Sequence, residues 1–447
     1  MKRIIYSLFL LVIALGISSA RSSDQKPREG YEKRIRDYVD TIQCFDTHEH
    51  LFNPEALKRT AFQDFSLLLH QNCWDDLVSA GMPNQYFNAI YNSGIPVAEK
   101  WKLVKPYWEK TFNTTSIRVF RIAANDLYGI PVINDSTILL LSSRIKDAYQ
   151  GNWFNTVLRE KCRFKFVVQE SDFLGADCPY VHYTDKFTDW MTIKSKFRLD
   201  SLAAAQVEPI FTLDDFVKSL RIAFEEAEKM GMVAVKVNTA YYRTLKFDNP
   251  TADAAKKVFR GIVSGNEDFR MTDSEAKPLQ DYMLRQLLAL AKEHKIPVAF
   301  HTGLQAGGGN YLYNSDPEKL TNLFIDYPDI KFVLYHGSYP FGGNLAALAK
   351  NFQNVYIDMN WTYSIAPSYS ARYLSEWLEA VPVSKIMAFG GDQRAVENTY
   401  GELQLAREVI ADVVIEKVRS GEYTEDEAKT VARLIMLENG QNFYNLK

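Results

Sequence analysis

The stretch Ile42-Gln43-Cys44-Phe45-Asp46-Thr47-His48-Glu49-His50 is an apolar run that ends in two histidines spaced two residues apart. Side chains two apart on a β-strand point to the same side, so both imidazoles should project together from the end of this strand. Two imidazoles so placed can bind one metal ion. A His-x-His pair alone is only moderately specific, and a surface pair without function is the alternative interpretation.

Seven further short β-like runs follow, and longer helical patterns separate most of them. This alternation is typical of a parallel sheet with helical crossovers. Eight strands favour a closed (β/α)8 TIM barrel, an α/β fold, over an open doubly wound sheet, and no GxGxxG motif follows an early strand. The strands are predicted at 42–47, 164–168, 197–201, 233–238, 297–301, 331–335, 355–358 and 385–389. The helices are predicted at 213–230, 278–294, 316–327, 369–380 and 426–446, with Asn439-Gly440 as a stop signal.

The composition is that of an ordinary globular chain. Of 447 residues, 47% are hydrophobic and 24% are charged, which excludes a disordered chain and a small disulfide scaffold. The net charge of −3 gives no basic excess for nucleic acid, so no nucleic-acid partner is expected. Cys44 and Cys162 lie in apolar runs and are predicted to be buried thiols. A Cys73–Cys178 disulfide would suit an oxidising compartment, and the spacing does not decide it.

Residues 1–20 have the pattern of a signal peptide. Lys2-Arg3 precede an apolar stretch at 4–17, and Ser18-Ser19-Ala20 form a small-residue cleavage site. The apolar stretch is shorter than the roughly 20 residues of a membrane span, although an uncleaved anchor is the alternative. Residues 21–447 are therefore expected to form an exported protein, periplasmic or secreted, without stable membrane insertion.

One long interval separates the first two predicted strands. Residues 51–161 exceed what a single crossover helix needs, and they are rich in aromatic and apolar residues at helix-compatible spacing. We interpret this segment as a helical insertion that covers the barrel mouth, because insertions after barrel strands emerge at that face. A helical domain elsewhere on the surface is the alternative.

Further chemistry-bearing residues follow other predicted strands. His301 and His336 end the fifth and sixth strands, each followed closely by glycine, and Asp392 follows the eighth. The carboxyl ends of barrel strands form one reactive face, so these residues should converge with His48 and His50. Three imidazoles and one carboxylate form a donor set that Zn²⁺ and related ions accept. The alternatives are buried structural histidines and an aspartate that caps a helix.

Lys236 lies inside the fourth predicted strand, where an unpaired ammonium would be costly, so a functional role is favoured. It could act as a cation beside the metal or be carbamylated and bridge two ions. Tyr241 and Arg243 follow on the next loop, where the guanidinium suits a substrate carboxylate. A solvent-facing arginine is the alternative there, and the same alternatives apply to Arg394.

These motifs resemble the amidohydrolase superfamily, most nearly its amidohydrolase-related (type 2) branch. The resemblance rests on the segments DTHEH, VAVKVNTAYYRTL, IPVAFHTG, FVLYHGSYP and FGGD, in this order along the chain. The fourth- and fifth-strand segments are also similar to amidohydrolase-like domains fused to glutamine-synthetase-like proteins. The insertion is similar to that of uronate isomerases. Gly390-Gly391-Asp392 departs from the more usual Gly-Ser-Asp.

The resemblance implies a metal-dependent hydrolase with one or two divalent ions, zinc first and manganese second. His48, His50, His301 and Asp392 would be ligands, and Asp392 would also move the proton. His336 would bind a second ion or donate to the substrate carbonyl, and Lys236 matches a position that is carbamylated in some members. The expected substrate is a small carboxylate-bearing molecule with a C–N or C–O bond to cleave.

Three alternatives to hydrolysis stay open. The same site could catalyse non-oxidative decarboxylation or uronate-type isomerisation. The chain could also be an exported binding protein without turnover. A homo-oligomer is compatible with the sequence.

Overall fold

A computed structural model describes residues 30–59, 63–170, 178–206, 208–266 and 268–447. Eight parallel strands pair in sequence order as one sheet, which confirms the predicted TIM barrel. The backbone N–H of Thr47 on the first strand donates to the carbonyl of Phe389, 3.1 Å away, just beyond the eighth strand. The strands are β1 Cys44–Glu49, β2 Phe164–Glu170, β3 Val181–Lys186, β4 Met232–Val237, β5 Val298–Phe300, β6 Phe332–Leu334, β7 Val355–Asp358 and β8 Ile386–Met387.

Helices surround the sheet and fill the long interval after β1. The helices up to β2 are α1 Tyr31–Thr41, α2 Pro54–Arg59, α3 Asn72–Ser79, α4 Tyr86–Ile90, α5 Val97–Thr111, α6 Thr115–Tyr128, α7 Thr137–Ala148 and α8 Trp153–Asn155. Those after β3 are α9 Lys196–Ala204, α10 Leu213–Lys229, α11 Ala252–Val263, α12 Asp273–His294, α13 Thr321–Asp326, α14 Gly342–Asn351, α15 Thr362–Ile365, α16 Pro367–Ala380, α17 Val396–Arg419, α18 Glu425–Arg433 and α19 Asn439–Tyr444. None of the helices described is long and apolar enough to cross a membrane.

Two of the predicted elements are wrong. The third strand is Val181–Lys186, and the segment 197–201 lies in α9 instead, where Ser195 caps the helix by accepting from the Arg198 N–H. The segment 197–201 has a short run of apolar and polar residues that resembles the alternation of a strand. Asn439-Gly440 does not stop the last helix, which continues to Tyr444. Gly440 instead allows close packing, because a Cβ there would lie 2.7 Å from Phe45 Cγ.

The barrel interior is filled by alternate residues of its strands. In β4, Ala234 belongs to the inner apolar cluster, whereas Val235 and Val237 pack with the surrounding helices. Lys236 therefore points inward by the two-residue period of the strand. The same rule places Glu170 inward on β2, because Phe166 and Val168 belong to the inner cluster. The barrel interior is therefore apolar, and the charged side chains lie near the carboxyl ends of its strands.

The predicted thiols and signal peptide have different outcomes. Cys44 and Cys162 are buried thiols, as predicted. Cys73 is also a buried thiol whose Sγ donates to the Ser116 carbonyl at 3.3 Å, so the Cys73–Cys178 disulfide is not formed. The signal peptide at 1–20 lies outside the described residues and stays a prediction.

The helices between β1 and β2 form their own apolar core and contact the barrel, including at α17 and at the loop after β5. Ala395, just before α17, belongs to that core, and α6 packs along α17. At the second contact, the Asp75 carboxylate on α3 accepts a hydrogen bond of 2.8 Å from the Gly307 N–H, on the loop after β5. The insertion is therefore anchored to the last barrel helix and also reaches a loop of the mouth.

Glu397 on α17 fastens this insertion to the barrel. Its buried carboxylate accepts hydrogen bonds from Tyr128 Oη at 2.6 Å, Trp153 Nε1 at 2.9 Å and Tyr149 Oη at 3.0 Å. Glu397→Ala leaves two buried donors and one half-buried donor without this acceptor, so we expect the free energy of unfolding to fall by about 3 kcal/mol. Denaturant titration followed by circular dichroism measures this change.

Two comparisons make that stability prediction specific. Glu397→Gln keeps one acceptor oxygen, and a tyrosine hydroxyl can turn to accept from the new amide, so the loss should be about 1 kcal/mol. Glu408→Ala, on the exposed face of the same helix, should change stability by at most about 0.5 kcal/mol. Equal losses for Glu397→Ala and Glu408→Ala would contradict the assigned role.

Candidate metal centre

His48, His50 and Asp392 form a group of potential metal donors at the mouth of the barrel. One ligand atom from each lies within 4.8 Å of the others. Asp392 Oδ1 is 3.1 Å from His50 Nε2 and 3.4 Å from His48 Nε2, and it accepts no hydrogen bond from a described residue. A buried carboxylate oxygen without a donor needs compensation, and a cation would supply it. Two imidazoles and one carboxylate fit a divalent ion.

Backbone contacts between β1 and the segment after β8 hold these donors together. The Asp392 N–H donates to the His48 carbonyl at 2.8 Å, and the His50 N–H donates to the Gln393 carbonyl at 3.0 Å. Glu49 Oε2 accepts from the Gln393 N–H at 2.7 Å. Gly391 is required here, because a Cβ at this position would lie 2.1 Å from Glu49 Oε1. This contact gives a physical reason why position 391 is glycine.

His301 is near this group but does not join it. Its Nε2 lies 2.9 Å from the Leu304 carbonyl, which can only accept, so Nε2 carries the proton. Its Nδ1 lies 2.8 Å from His336 Nε2 and therefore accepts from that ring. Burial lowers the pKa of His301 to about 3, which keeps the ring neutral. Both ring nitrogens are engaged in this structure, and the role of His301 as a metal ligand stays a prediction.

His336 presents its second nitrogen to Asp392. Its Nδ1 is buried, lies 3.9 Å from Asp392 Oδ2 and has no hydrogen-bond partner among the described residues. Burial and the adjacent His301 lower the pKa of His336 well below its usual value. Because Nε2 donates to His301, the neutral ring has its lone pair on Nδ1. His336 thus points an unprotonated nitrogen toward Asp392.

Lys236 lies between the donor group and a carboxylate that the sequence analysis missed. Its Nζ is 3.1 Å from His48 Nε2, 3.7 Å from Glu170 Oε2 and 4.0 Å from the centre of the Tyr335 ring. Burial lowers the pKa of Lys236 against the attraction of Glu170. The carbamylation alternative stays a prediction.

Glu170 ends β2 and connects several cations. Its Oε1 accepts from Lys186 Nζ at 2.9 Å, and its Oε2 lies 3.8 Å from His50 Nε2. Burial opposes its charge, but His50, Lys236 and Lys186 lower the pKa of Glu170 to about 2. The predicted second strand ends at Val168, two residues before Glu170. Had that prediction been extended to Glu170, strand alternation would have placed this carboxylate on the inner face.

The loop after β4 places its two predicted substrate-binding residues in different surroundings. The Tyr241 ring packs on His301 with centroids 4.7 Å apart, and its hydroxyl accepts from the Ala306 N–H at 3.0 Å. Arg243 is buried and pairs with Asp281 at 2.6 Å and with Gln280 at 3.1 Å. Its guanidinium is engaged by these partners, and its predicted contact with a substrate carboxylate stays a prediction.

Residues after β7 complete the site and were not predicted from the sequence. Asp358 Oδ1 accepts from the Thr47 hydroxyl and the Asn360 N–H, each at 2.9 Å. Asn360 Oδ1 accepts from the His336 N–H at 3.1 Å. The Trp361 ring meets His336 nearly edge-on, with centroids 5.2 Å apart. The carboxylate that ends β7 was the available signal that this strand also contributes to the site.

Comparison with known proteins gives two kinds of match in sequence. The family model described as Amidohydrolase matches residues 188–409. Protein fluG of Emericella nidulans is 32% identical over 178 residues, which are 38% of this chain and 20% of that protein. The chain therefore spans about one fifth of the length of this curated relative.

Two solved structures share the fold over almost the whole chain. The uronate isomerase of Thermotoga maritima has a TM-score of 0.78 at 16% identity and covers 95% of this chain and 99% of that one. The glucuronate isomerase of Caulobacter crescentus has a TM-score of 0.76 at 15% identity and covers 95% of this chain and 96% of that one. At these identities the similarity shows a common fold. The 5% of this chain that these matches leave uncovered is much shorter than the insertion, so the similarity includes the insertion.

Proposed function

Because these matches confirm the predicted resemblance to the amidohydrolase superfamily, we propose that the chain is a metal-dependent hydrolase. It would cleave a C–N or C–O bond of a small carboxylate-bearing substrate. The observation that carries the proposal is the donor group His48, His50 and Asp392, with its uncompensated carboxylate oxygen. We propose one ion, because among the described residues only His48, His50 and Asp392 bring three potential ligand atoms together.

Zinc is the first candidate for this ion and manganese the second, since two imidazoles and a carboxylate suit both. When bound, the ion would act as a Lewis acid and lower the pKa of water toward about 7. The remaining steps belong to the side chains of this protein.

Asp392 moves the proton in this proposal, and His336 assists it. The attacking water gives its proton to Asp392, which returns it to the leaving nitrogen or oxygen. Asp392 Oδ2 lies 3.9 Å from the unprotonated Nδ1 of His336, which can accept a hydrogen bond from Asp392 while Asp392 carries the proton. This differs from the role expected from the sequence, because a ring with an unprotonated Nδ1 cannot donate to the substrate carbonyl.

Lys236 supplies the donor that His336 lacks. Its ammonium lies beside His48 in a buried setting, where a cation strongly stabilises a developing oxyanion. For the substrate carboxylate we propose Lys186 in place of Arg243. Lys186 keeps 44% of its side chain exposed while pairing with Glu170, which in turn faces His50.

Uronate isomerisation is the second candidate function. The fold shared with two isomerases, including the insertion, supports it, and a neutral His336 beside Asp392 could also transfer a proton between adjacent carbons. The decisive difference lies in the product. Hydrolysis adds water across a bond, whereas isomerisation conserves the composition of the sugar acid.

The test is elemental analysis of protein purified without chelator, followed by a substrate panel. We expect about one divalent ion per chain. The panel contains N-acyl amino acids, lactones, uronates and aryl carboxylic acids, with products identified by mass spectrometry and released CO2 measured. Cleavage of an acyl compound or lactone supports hydrolysis, and a changed aldose/ketose ratio with no cleavage would replace it by isomerisation. A metal-free protein that binds a small acid tightly without turnover would reject both functions.

A further inference from the structure

We propose that Tyr335 is a positioning residue, which holds the ammonium group of Lys236 against the face of its ring. This inference deepens the proposed function and rests on the role given there to Lys236. The Tyr335 side chain is fully buried, and Lys236 Nζ lies 4.0 Å from the centre of its ring. The face of an aromatic ring carries partial negative charge, so it attracts a cation placed over it. This attraction is strongest where water is excluded.

Few other groups compensate this buried charge. The Lys236 ammonium has three N–H donors, and its one hydrogen bond to a described residue goes to His48 Nε2, at 3.1 Å. Glu170 Oε2 attracts the ammonium from 3.7 Å. The same His48 nitrogen lies 3.4 Å from Asp392 Oδ1, so an ion held by these two residues would compete with Lys236 for it. The Tyr335 ring and Glu170 are the contacts that do not depend on this nitrogen.

The alternation of the barrel strands brings the ring and the ammonium together. Tyr335 directly follows β6 and belongs to the inner apolar cluster, as does Val333 two residues earlier. Lys236 points inward from β4 by the same two-residue period. Both β4 and β6 pair with β5, so their inward side chains lie close enough to meet inside the barrel. The contact is therefore a product of the barrel and not of local sequence.

The last helix fixes the orientation of the ring. Tyr444 Oη, at the end of α19, lies 3.2 Å from Tyr335 Oη and 3.4 Å from the Thr47 carbonyl oxygen. A carbonyl can only accept, so Tyr444 donates to Thr47 and accepts from the Tyr335 hydroxyl. The Tyr335 ring also contacts the ring of His48, with centroids 4.7 Å apart. These two contacts keep the face of the ring toward the ammonium.

Tyr335→Leu keeps an apolar side chain but removes the face of the ring. We expect kcat to fall by about tenfold, because the ammonium is no longer held where the oxyanion develops. KM should change by less than about threefold, since a contact made in the transition state is lost rather than one made to the substrate. Metal content should stay at one ion per chain. Tyr335→Met serves the same purpose if the leucine protein does not fold.

Two further variants locate the effect in the ring face. Tyr335→Phe keeps this face and loses only the hydroxyl, so kcat should fall by less than about threefold. Tyr356→Leu is the matched control for the loss of a tyrosine that packs against the inner cluster. The Tyr356 ring lies 5.8 Å from Lys385 Nζ, at the opposite end of the barrel. This variant should lose stability and keep the turnover of the folded protein.

A double-mutant cycle with Lys236→Met separates positioning from general support of the fold. If Tyr335 acts through Lys236, adding Tyr335→Leu to Lys236→Met should change turnover by less than about twofold. The same four proteins give unfolding equilibrium constants by denaturant titration without added metal. The double substitution should raise this constant about tenfold less than the product of the two single effects, because a protein without the cation does not need the ring.

Three results would overturn the assignment. The first is a Tyr335→Leu protein with wild-type turnover, or with a loss that is equally large in the Lys236→Met background. The second is a Tyr335→Phe protein as impaired as Tyr335→Leu, and the third is a set of unfolding constants whose single effects multiply. Coupled unfolding constants in a protein that holds no metal and converts no compound of the panel would reject the proposed function and leave the pairing of ring and ammonium standing.

Discussion

Asp392→Asn is expected to lose most of the bound metal and to lower turnover by a factor on the order of 1,000. The substitution keeps the size of the side chain and removes its negative charge. Two neutral imidazoles then remain to hold a divalent ion, and an amide oxygen is a much weaker ligand for zinc than a carboxylate. The same change removes the group that accepts the proton, so activity should not recover fully in excess metal.

The measurements are metal content by elemental analysis and turnover of the substrate identified in the panel, with and without added zinc. Asp189→Asn is the matched control, because Asp189 is exposed and pairs with Arg198 at 3.0 Å on the surface. It should retain metal and turnover. An Asp392→Asn protein with one ion per chain and wild-type turnover would remove Asp392 from the site and leave the proposed hydrolysis without its central residue.

Lys236→Met is expected to lower turnover by about 100-fold or more while the protein keeps its metal. The methionine fills a similar volume but provides no donor or charge for a developing oxyanion. Loss of this cation also leaves Glu170 less compensated in a buried position, so stability should fall as well. The prediction therefore requires a way to separate the loss of chemistry from the loss of stability.

A double substitution makes this separation. In Lys236→Met combined with Glu170→Gln, the buried charge that has lost one of its two lysine neighbours is removed, so stability should recover relative to Lys236→Met alone. Turnover should stay low, because the donor is still missing. Parallel recovery of stability and turnover would show that Lys236 only balances charge. Denaturation midpoints and turnover of the four proteins in this cycle provide the comparison.

Lys385→Met is the matched control for the loss of a buried lysine that has no role in catalysis. Lys385 comes directly before β8, at the opposite end of the barrel, and its ammonium donates to backbone carbonyls, including that of Phe352 at 2.6 Å. Burial lowers the pKa of Lys385 to about 8. Its removal should cost stability and leave the turnover of the folded protein unchanged. An equal loss of turnover in Lys385→Met and Lys236→Met would assign both effects to folding.

The elements that the sequence identified best are those in which several local signals agree. β1, β4 and β7 each combine an apolar or β-branched run with a polar residue near the carboxyl end, and the structure has strands at all three. β3 was missed because Val-His-Tyr-Thr-Asp-Lys at 181–186 contains few apolar residues. α9 contains the segment that was predicted as the third strand. Its Phe197 is exposed, and this apolar residue gave the segment the alternating pattern of a strand.

The site shows the same division between local and distant information. His48 and His50 are paired by the geometry of a single strand, and their approach to each other follows from local sequence. Asp392 joins them because the segment after β8 is hydrogen-bonded to β1, a contact between residues more than 340 positions apart. The count of eight strands makes this neighbourhood predictable, since the first and last strands of a barrel are adjacent.

Proton positions and side-chain partners required the tertiary structure. His301 and Arg243 have suitable chemistry in suitable places, yet His336 and Leu304 engage the imidazole and Asp281 engages the guanidinium. Which partner a polar group takes depends on distances of a few ångströms between separate loops, and the order of residues does not encode these directly. The sequence determined the barrel and the convergence of imidazoles with a carboxylate, because strand period and strand count are local and cumulative properties. The tertiary structure decided which donors remain available to an ion and brought in Glu170, because availability is set by all neighbours in three dimensions.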